Sequence, residues 1–255
     1  MIGCIIQARM GSTRLPEKVM KTLEKNVTVL DFVIEQINKS KFIDKIIIAT
    51  TTLSEDDVIE DHVKSLGISV FRGKSHDVLD RYYQCGKKFN LPIIVRITSD
   101  CPLIDPEISD LVISKFDPLK YDYVCNTHPR TFPQGTETEI FSFKSLKIAW
   151  KNAKLPSERE HVTPFFYNNK NKFRILNVKN EEDLSNLRWC LDRKEDLIVL
   201  RKIVSTIKSR PILTKHILNM YKMEPKVFEK NKRYSALEGY MKSLNDDVKF
   251  LHNQD

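Results

Sequence analysis

The sequence is poor in the patterns that mark a metal or disulfide scaffold. Its five cysteines form no C-x-x-C pair, and neither an H-E-x-x-H motif nor a Cys/His tandem is present. Because structural zinc needs closely spaced Cys/His pairs, a zinc cluster is not expected. An odd number of cysteines cannot pair completely within one chain, so we expect reduced thiols and a cytoplasmic protein.

A membrane-spanning segment is also missing from the sequence. No window approaches the roughly 18 unbroken apolar residues that a transmembrane helix needs, and Arg9 and Arg14 interrupt the N-terminal apolar run. No signal peptide is recognisable. We expect a soluble protein that has no membrane partner.

Length and composition indicate a globular α/β protein. The chain has 255 residues, of which 41% are apolar and 30% are charged, and this balance argues against disorder. A typical domain has roughly 100–200 residues. We therefore expect one domain with an embellishment.

The positive charge is concentrated in the C-terminal third. The formal net charge is +8, and residues 193–233 contain twelve Lys or Arg against four Asp or Glu. Such a stretch is typical of a nucleic-acid surface or of a solvated helical face. We favour the solvated face because the interleaved aromatic residues of a base-stacking platform are missing.

The first half of the chain alternates short β-branched runs with amphipathic helical patterns, which predicts βα units on a parallel sheet. Strands are predicted at 3–6, 45–50, 68–71, 92–98, 138–143 and 187–191. Helices are predicted at 30–37, from a Ser54 cap to Leu66, at 78–89, from an Asp105 cap, and through 197–203. We divide the chain into a main domain at 1–208, with an acceptor-binding or dimerisation embellishment at about 126–180, and a basic helical extension at 209–255.

A polar loop follows the first predicted strand and spans residues 7–18. It contains Arg9, Gly11, Ser12, Thr13, Arg14 and Lys18. Arg binds phosphate oxygens in a bidentate manner and Lys adds a point charge, so the loop suits a polyphosphate. It is neither a Walker A loop nor a G-x-G-x-x-G loop, and an ordinary surface loop is the alternative.

Two carboxylates follow predicted strands. Asp100 comes after the fourth strand, and Asp192 comes after the strand predicted at 187–191. Ligands of parallel sheets bind beyond the carboxyl ends of the strands, where such carboxylates suit Mg²⁺ held against phosphate oxygens. The alternatives are that Asp100 caps a turn before Pro102 and that Asp192 caps the following helix.

Six segments, taken in order, resemble the cytidylyltransferases that make CMP-activated acidic sugars, including homologues linked to spore-coat polysaccharide synthesis. The segments are 3–18, 71–82, 98–106, 131–135, 158–164 and 188–192. The resemblance covers about residues 2–205. It implies a glycosyltransferase-A-like, Rossmann-like nucleotidyltransferase fold with a mainly parallel central sheet, followed by the helical C-terminal extension.

The resemblance also implies the site residues. The nucleotide-binding residues would be Ala8, Arg9, Gly11, Ser12, Arg14, Lys18, Arg72, Asp77 and Ser99. The catalytic residues would be Arg9, Arg14, Lys18 and Asp100, with Asp100 and Asp192 holding Mg²⁺. The acceptor-binding residues would be Arg159, Glu160 and His161. Two positions depart from the family pattern, because Glu17 and Ser99 each replace a glycine.

Three of these residues keep a second interpretation. His161 can equally be a buried structural histidine, and Arg159 and Glu160 can be ordinary surface charges of a helix. Cys101, beside Asp100, is interpreted as a packing residue, because the expected transfer needs no covalent enzyme intermediate.

The hypothesis is a Mg²⁺-dependent cytidylyltransferase whose partners are CTP and an anionic small-molecule acceptor. The acceptor is either a keto-sugar acid or a phosphomonoester, and we expect a homodimer that does not bind nucleic acid. Two rival hypotheses are a glycosyltransferase that consumes a nucleotide sugar and a non-catalytic protein that binds nucleic acid through its basic C-terminal third. The first rival would typically show an Asp-x-Asp motif, which is missing near Asp100.

Overall fold

A twisted seven-stranded sheet forms the centre of the protein in the computed structural model, which describes residues 1–234 and 238–253. The strands are β1 (Ile2–Gln7), β2 (Thr22–Glu24), β3 (Val27–Thr28), β4 (Lys45–Thr51), β5 (Ser69–Gly73), β6 (Ile93–Thr98), β7 (Tyr123–Cys125), β8 (Glu139–Ser142) and β9 (Ile175–Asn177). The order is β5-β4-β1-β6-β8-β7-β9, while β2 and β3 pair separately. β8 runs antiparallel to both of its neighbours, and the other pairs of the large sheet are parallel.

Helices follow most strands and cover both faces of the sheet. They are α1 (Val29–Ile37), α2 (Asp57–Ser65), α3 (Val78–Lys88), α4 (Pro106–Ser114), α5 (Phe143–Asn152), α6 (Pro156–His161), α7 (Pro164–Asn168), α8 (Lys194–Thr206), α9 (Thr214–Met223), α10 (Pro225–Phe228) and α11 (Glu238–His252). The Asp105 cap is confirmed: its side chain accepts hydrogen bonds from the backbone N–H groups of Glu107 and Ile108. Such bonds satisfy donors that a helix N-terminus leaves unpaired.

The side chains of β1 alternate between two apolar layers, as a strand requires. Cys4 and Ile6 belong to one buried cluster with residues of α1 and α4, whereas Ile5 belongs to a second cluster with residues of α3 and α5. The predicted α/β fold with a mainly parallel central sheet is therefore confirmed.

The prediction of a strand at 187–191 is wrong. This segment is extended but forms only an isolated bridge between Arg188 and Gln134. Its apolar residues are buried because Leu187, Trp189 and Leu191 pack into a cluster beneath the loop of residues 7–18, together with Leu15. Burial of an extended segment against helices, including α8 and α9, therefore produced an apolar pattern that is typical of a strand.

The predicted Ser54 cap is also wrong. Ser54–Asp56 forms a short 3-10 turn, and α2 begins only at Asp57. Ile59 and Val63 are buried as expected, but Val58 and Leu66 are exposed. The sequence pattern therefore predicted a wider apolar face than the helix has. In this short helix only about one residue per turn faces the core.

The segment after residue 208 packs against the start of the chain. Ile212, Ile217 and Met220 share a buried cluster with Phe32, and the Gln36 amide donates a hydrogen bond of 2.6 Å to the Ile212 carbonyl. The domain boundary at 208 and the role of residues 126–180 stay predictions. Across the described parts of the chain, no helix has the length and apolar character needed to cross a membrane.

Five of the twelve Lys and Arg residues at 193–233 form ion pairs with carboxylates among the described residues. Ion pairs join Arg193 to Glu238, Lys202 to Glu224, Arg210 to Glu24, Lys215 to Glu107 and Arg233 to Glu195. This local compensation favours the interpretation as a solvated helical face.

Candidate active site

A cavity of about 1290 Å³ opens beyond the carboxyl ends of β1 and β6, where Gln7 and Thr98 line it. Parallel sheets bind their ligands at this edge. Pockets for a single small molecule typically enclose roughly 300–1,000 Å³. The larger volume here leaves room for two substrates side by side.

Most of the site residues predicted from the sequence line this cavity. They are Ala8, Arg9, Gly11, Ser12, Arg14, Lys18, Ser99, Asp100, Arg159, Glu160, His161 and Asp192. The exceptions are Arg72 and Asp77, which are not among the described residues that line the cavity.

Lys18 occupies the centre of the charged part of the cavity. Its Nζ donates to Asp100 Oδ2 at 2.7 Å, to Asp192 Oδ1 at 3.0 Å and to the Leu191 carbonyl at 3.0 Å. Only 13% of the Lys18 side chain is exposed, so the three bonds form in a largely water-free environment. One ammonium group therefore joins two carboxylates that lie 92 positions apart in the sequence.

These charges hold one another in the ionised state. Burial would lower the pKa of Lys18, but Asp100 and Asp192 outweigh it and raise that pKa well above its usual value. Burial would likewise raise the pKa of Asp100, but Lys18 holds it well below its usual range. The pKa of Asp192 is also lowered, because Lys18 and Arg14 outweigh burial and the charge of Asp100.

Backbone hydrogen bonds bring Asp192 to Asp100. The Leu191 N–H donates to the Asp100 carbonyl at 2.7 Å, and the Trp189 N–H donates to the Gln134 carbonyl at 2.9 Å. Gly135 adjoins this contact with a φ of +107°, and a Cβ there would lie 3.0 Å from the carbonyl carbon of Trp189 and from the backbone nitrogen of Cys190. The glycine is needed because other residues rarely adopt this backbone conformation.

The two carboxylates fit a magnesium site. Mg²⁺ typically uses one or two protein carboxylates and completes its shell with phosphate oxygens and water. Oxygens of Asp100 and Asp192 lie within 3.0 Å of the same nitrogen atom, so both can reach one cation. No group of three or more His, Cys, Asp and Glu side chains is arranged to hold a metal within residues 1–234 and 238–253.

The loop that carries Lys18 has a tight conformation. Glu17, directly before Lys18, has a φ of 58° and a ψ of 22°, which is the left-handed region. This geometry favours glycine, which is the residue that the resemblance implies at this position. A non-glycine residue here costs roughly 1–2 kcal/mol.

The two arginines of the loop bind carboxylates across the cavity. Arg14 donates to Asp192 Oδ1 at 2.5 Å and lies 3.7 Å from a Glu238 oxygen. Arg9 donates to Glu160 at 3.0 Å. The predicted phosphate-binding cations therefore face the predicted metal ligands and the predicted acceptor motif within one cavity.

Arg72 forms its bonds away from the cavity, whereas Asp77 bonds to a residue that lines it. Arg72 bonds to Asp57 at 2.5 Å and to Glu60 at 2.8 Å, which ties the end of β5 to α2. Asp77 caps α3 and also accepts hydrogen bonds from Arg159. The predicted contribution of both residues to enclosing the nucleotide stays a prediction.

The predicted acceptor motif borders a buried polar floor. Arg96 on β6 forms an ion pair with Glu139 on β8, and Glu139 also accepts from the hydroxyls of Tyr123 and Thr163. Burial and the nearby Arg96 lower the pKa of His161 to about 4. His161 is therefore neutral at pH 7 and suits hydrogen bonding to uncharged groups.

The sequence interpretation missed two arginines that line the cavity. Arg96 and Arg81 each have an Nε that is buried without a hydrogen-bond partner. Burial and the neighbouring Arg9 lower the pKa of Arg81. A signal was present for Arg96, since a charged residue inside an apolar strand is unusual unless it is paired or functional.

Cys101 is buried beside the site. Only 4% of the Cys101 residue is exposed. This burial raises the pKa of its thiol well above the usual value. A thiol in this environment is a poor nucleophile, which supports the interpretation as a packing residue.

The site combines a cationic loop after β1 with two carboxylates at the carboxyl edge of a Rossmann-like sheet. This arrangement is typical of a nucleotidyltransferase. The chain belongs to the cytidylyltransferase family, whose pattern it matches over residues 3–245. The predicted family and the predicted nucleotidyltransferase activity are thereby confirmed.

The chain is similar to the following relatives. The spore coat polysaccharide biosynthesis protein SpsF of Bacillus subtilis is 33% identical over 216 residues, which cover 81% of this chain and 88% of that protein. A 3-deoxy-manno-octulosonate cytidylyltransferase of Thermodesulfovibrio yellowstonii is 27% identical over 244 residues, covering 84% of this chain and 90% of that protein. The structure of a cytidylyltransferase from Leptospira borgpetersenii is 36% identical, with a TM-score of 0.86, covering 92% of this chain and 98% of that one.

Proposed function

We propose that the protein transfers CMP from CTP to an anionic acceptor, an acidic keto-sugar, and releases pyrophosphate. The observation that carries this proposal is the placement of Lys18, Asp100 and Asp192 at one point of the cavity. Membership of the cytidylyltransferase family supports CTP as the nucleotide. The octulosonate-specific and polysaccharide-linked relatives support an acidic sugar as the acceptor.

In the reaction, an acceptor hydroxyl oxygen attacks the α-phosphorus of CTP in line, the bond to pyrophosphate breaks, and the hydroxyl proton is released to solvent. The leaving group carries negative charge, which Arg9, Arg14 and Lys18 neutralise. Preorganised charges of this kind act mainly by stabilising the transition state. Lys18 is protonated before the nucleotide binds, since its carboxylate partners raise its pKa.

Asp100 and Asp192 would hold the magnesium ion, which supplies Lewis-acid neutralisation of the phosphate oxygens when it is bound. Lys18 Nζ lies between these carboxylates. We expect Lys18 to turn from the carboxylates to the phosphates when the nucleotide enters. Arg188 then keeps Asp192 in place, because it bonds to the other Asp192 oxygen at 3.0 Å.

The acceptor would occupy the other half of the cavity, between the Arg96–Glu139 floor and α6. Glu160 and His161 line this half. The predicted homodimer stays a prediction.

The test is a pyrophosphate-release screen of ATP, GTP, CTP and UTP. Each is combined with keto-sugar acids, such as 3-deoxy-manno-octulosonate and N-acetylneuraminate, and with glycerol 3-phosphate as a phosphomonoester. We expect release only with CTP and a keto-sugar acid, and the product should be a CMP-sugar. Release with every nucleotide, or with the phosphomonoester alone, would contradict the proposal.

A further inference from the structure

Helix α11 presents a polar face to the cavity. The α11 residues that line the cavity are Glu238, Gly239, Tyr240, Lys242, Ser243 and Asp246. Spacings of three and four residues place 239, 242, 243 and 246 on one side of a helix. Apart from Gly239, these residues carry hydrogen-bonding side chains, which suit contact with a polar ligand.

Buried hydrogen bonds fix α11 against α6. Asp247 accepts from the Ser157 N–H at 2.8 Å and from the Ser157 hydroxyl at 2.6 Å. The α11 residue Ser243 bonds to the His161 ring at 2.9 Å, and the centroids of the Tyr240 and His161 rings lie 5.3 Å apart in a T-shaped arrangement. The polar face of α11 therefore has a defined position opposite the floor of the acceptor half.

Three of the arginines that line the cavity are already neutralised by carboxylates, and a fourth, Arg81, is buried and donates to the backbone carbonyls of Ala49 and Ser75. Arg96 pairs with Glu139 and Arg130 pairs with Glu137. Arg159 donates two hydrogen bonds to Asp77 and a third, of 2.9 Å, to the Trp150 carbonyl. Neither Arg96, Arg130 nor Arg159 therefore brings an uncompensated charge to the acceptor.

Lys242 differs from these arginines. It lines the cavity, and the described residues give it no ion pair or hydrogen bond. Asp246, four residues further along α11, pairs instead with Lys249 at 3.2 Å. The ammonium charge of Lys242 is thus available to an anion in the cavity.

We propose that α11 forms one wall of the acceptor site and that Lys242 pairs with the anionic group of the acceptor. This inference rests on the proposed function. It moves the recognition of the acceptor anion from Arg159 to a helix that lies beyond the motifs identified in the sequence.

The experiment compares Lys242→Met with the wild-type protein in the pyrophosphate-release assay, using CTP with 3-deoxy-manno-octulosonate and with N-acetylneuraminate. We expect the acceptor KM to rise about tenfold, the scale of one charged hydrogen bond at an exposed site. The KM for CTP and the saturated rate should change by less than about twofold, and Lys242→Arg should restore most of the loss. Lys151→Met, an exposed lysine on α5 outside the cavity lining, is the matched control.

The outcomes separate the two proposals. If the wild-type protein is active and Lys242→Met keeps its acceptor KM, the assignment of Lys242 is overturned and the proposed function stands. The assignment is likewise overturned if the whole defect of Lys242→Met lies in the KM for CTP, or if Arg159→Ala alone impairs acceptor binding. If the wild-type protein releases no pyrophosphate with CTP and either acid, the proposed function fails and the assignment falls with it.

Discussion

Replacement of Lys18 by Met should impair both turnover and stability, because Lys18 is the only group that bonds to Asp100 and Asp192 together among the described residues. Met fills a similar volume but carries no charge. The change leaves two adjacent, largely buried carboxylates without their shared cation. Arg14 and Arg188 still bond to Asp192. Asp100 therefore loses a larger share of its electrostatic stabilisation than Asp192 does.

These contacts set the loss in free energy of unfolding that Lys18→Met should cause. Breaking a buried ion pair by removing one partner costs about 3–5 kcal/mol, and the remaining arginines reduce this to about 2–3 kcal/mol at pH 7. Turnover with saturating CTP should fall roughly 10²-fold or more, the effect of losing one preorganised charge contact.

The pH dependence gives a sharper signature. In the wild-type protein the depressed pKa of Asp100 contributes stability above about pH 4, and this contribution is lost as the pH falls through the lower, folded-state pKa. In Lys18→Met, burial and Asp192 raise the pKa of Asp100 instead. Protonation then stabilises the folded variant as the pH falls from 7.5 to 5.

Urea unfolding of both proteins at pH 7.5 and pH 5 measures this difference. The gap in free energy of unfolding should shrink by about 1 kcal/mol or more at pH 5, since one unit of pKa corresponds to 1.36 kcal/mol. Lys25→Met, an exposed lysine in the β2–β3 turn, is the control and should show no such change. An unchanged gap between the two pH values, or near-wild-type turnover, would refute the reasoning.

Three further predictions follow from the site and its supporting turns. Asp100→Asn and Asp192→Asn should each abolish pyrophosphate release, as should EDTA, and activity that survives chelation would contradict the magnesium site. Glu17→Gly should raise the free energy of unfolding by about 1 kcal/mol, because it relieves a left-handed backbone, and the melting temperature by about 2 °C; a lower melting temperature would argue against that conformation. Gly135→Ala should lower stability by about 1–3 kcal/mol and also reduce turnover, because the added Cβ displaces the segment that carries Asp192; unchanged calorimetric and kinetic values would show that the turn tolerates a side chain.

The parallel half of the fold was predictable because its signals are local. The apolar run of β1 and the helix cap at Asp105 can be recognised from neighbouring residues alone. A parallel arrangement of such units places the loops after β1 and β6 at one edge of the sheet. The proximity of Lys18 and Asp100 followed from this arrangement without any further information.

The position of Asp192 depended on contacts that the local pattern does not contain. The segment before it is no strand, and a backbone bond to Asp100 and the turn at Gly135 place it in the site. The pairing of Arg96 with Glu139 likewise requires β8 to lie beside β6, although 43 residues separate the two side chains.

By itself, then, the sequence determined the βα units, the edge of the sheet at which ligands bind, and the cationic loop with its first carboxylate. Only the tertiary structure decided which second carboxylate joins Lys18, which arginines are neutralised, and that α11 faces the cavity. The physical reason is the range of each interaction. Helix and strand periodicity arise from residues a few positions apart, whereas ion pairs and loop contacts depend on the path of the whole chain.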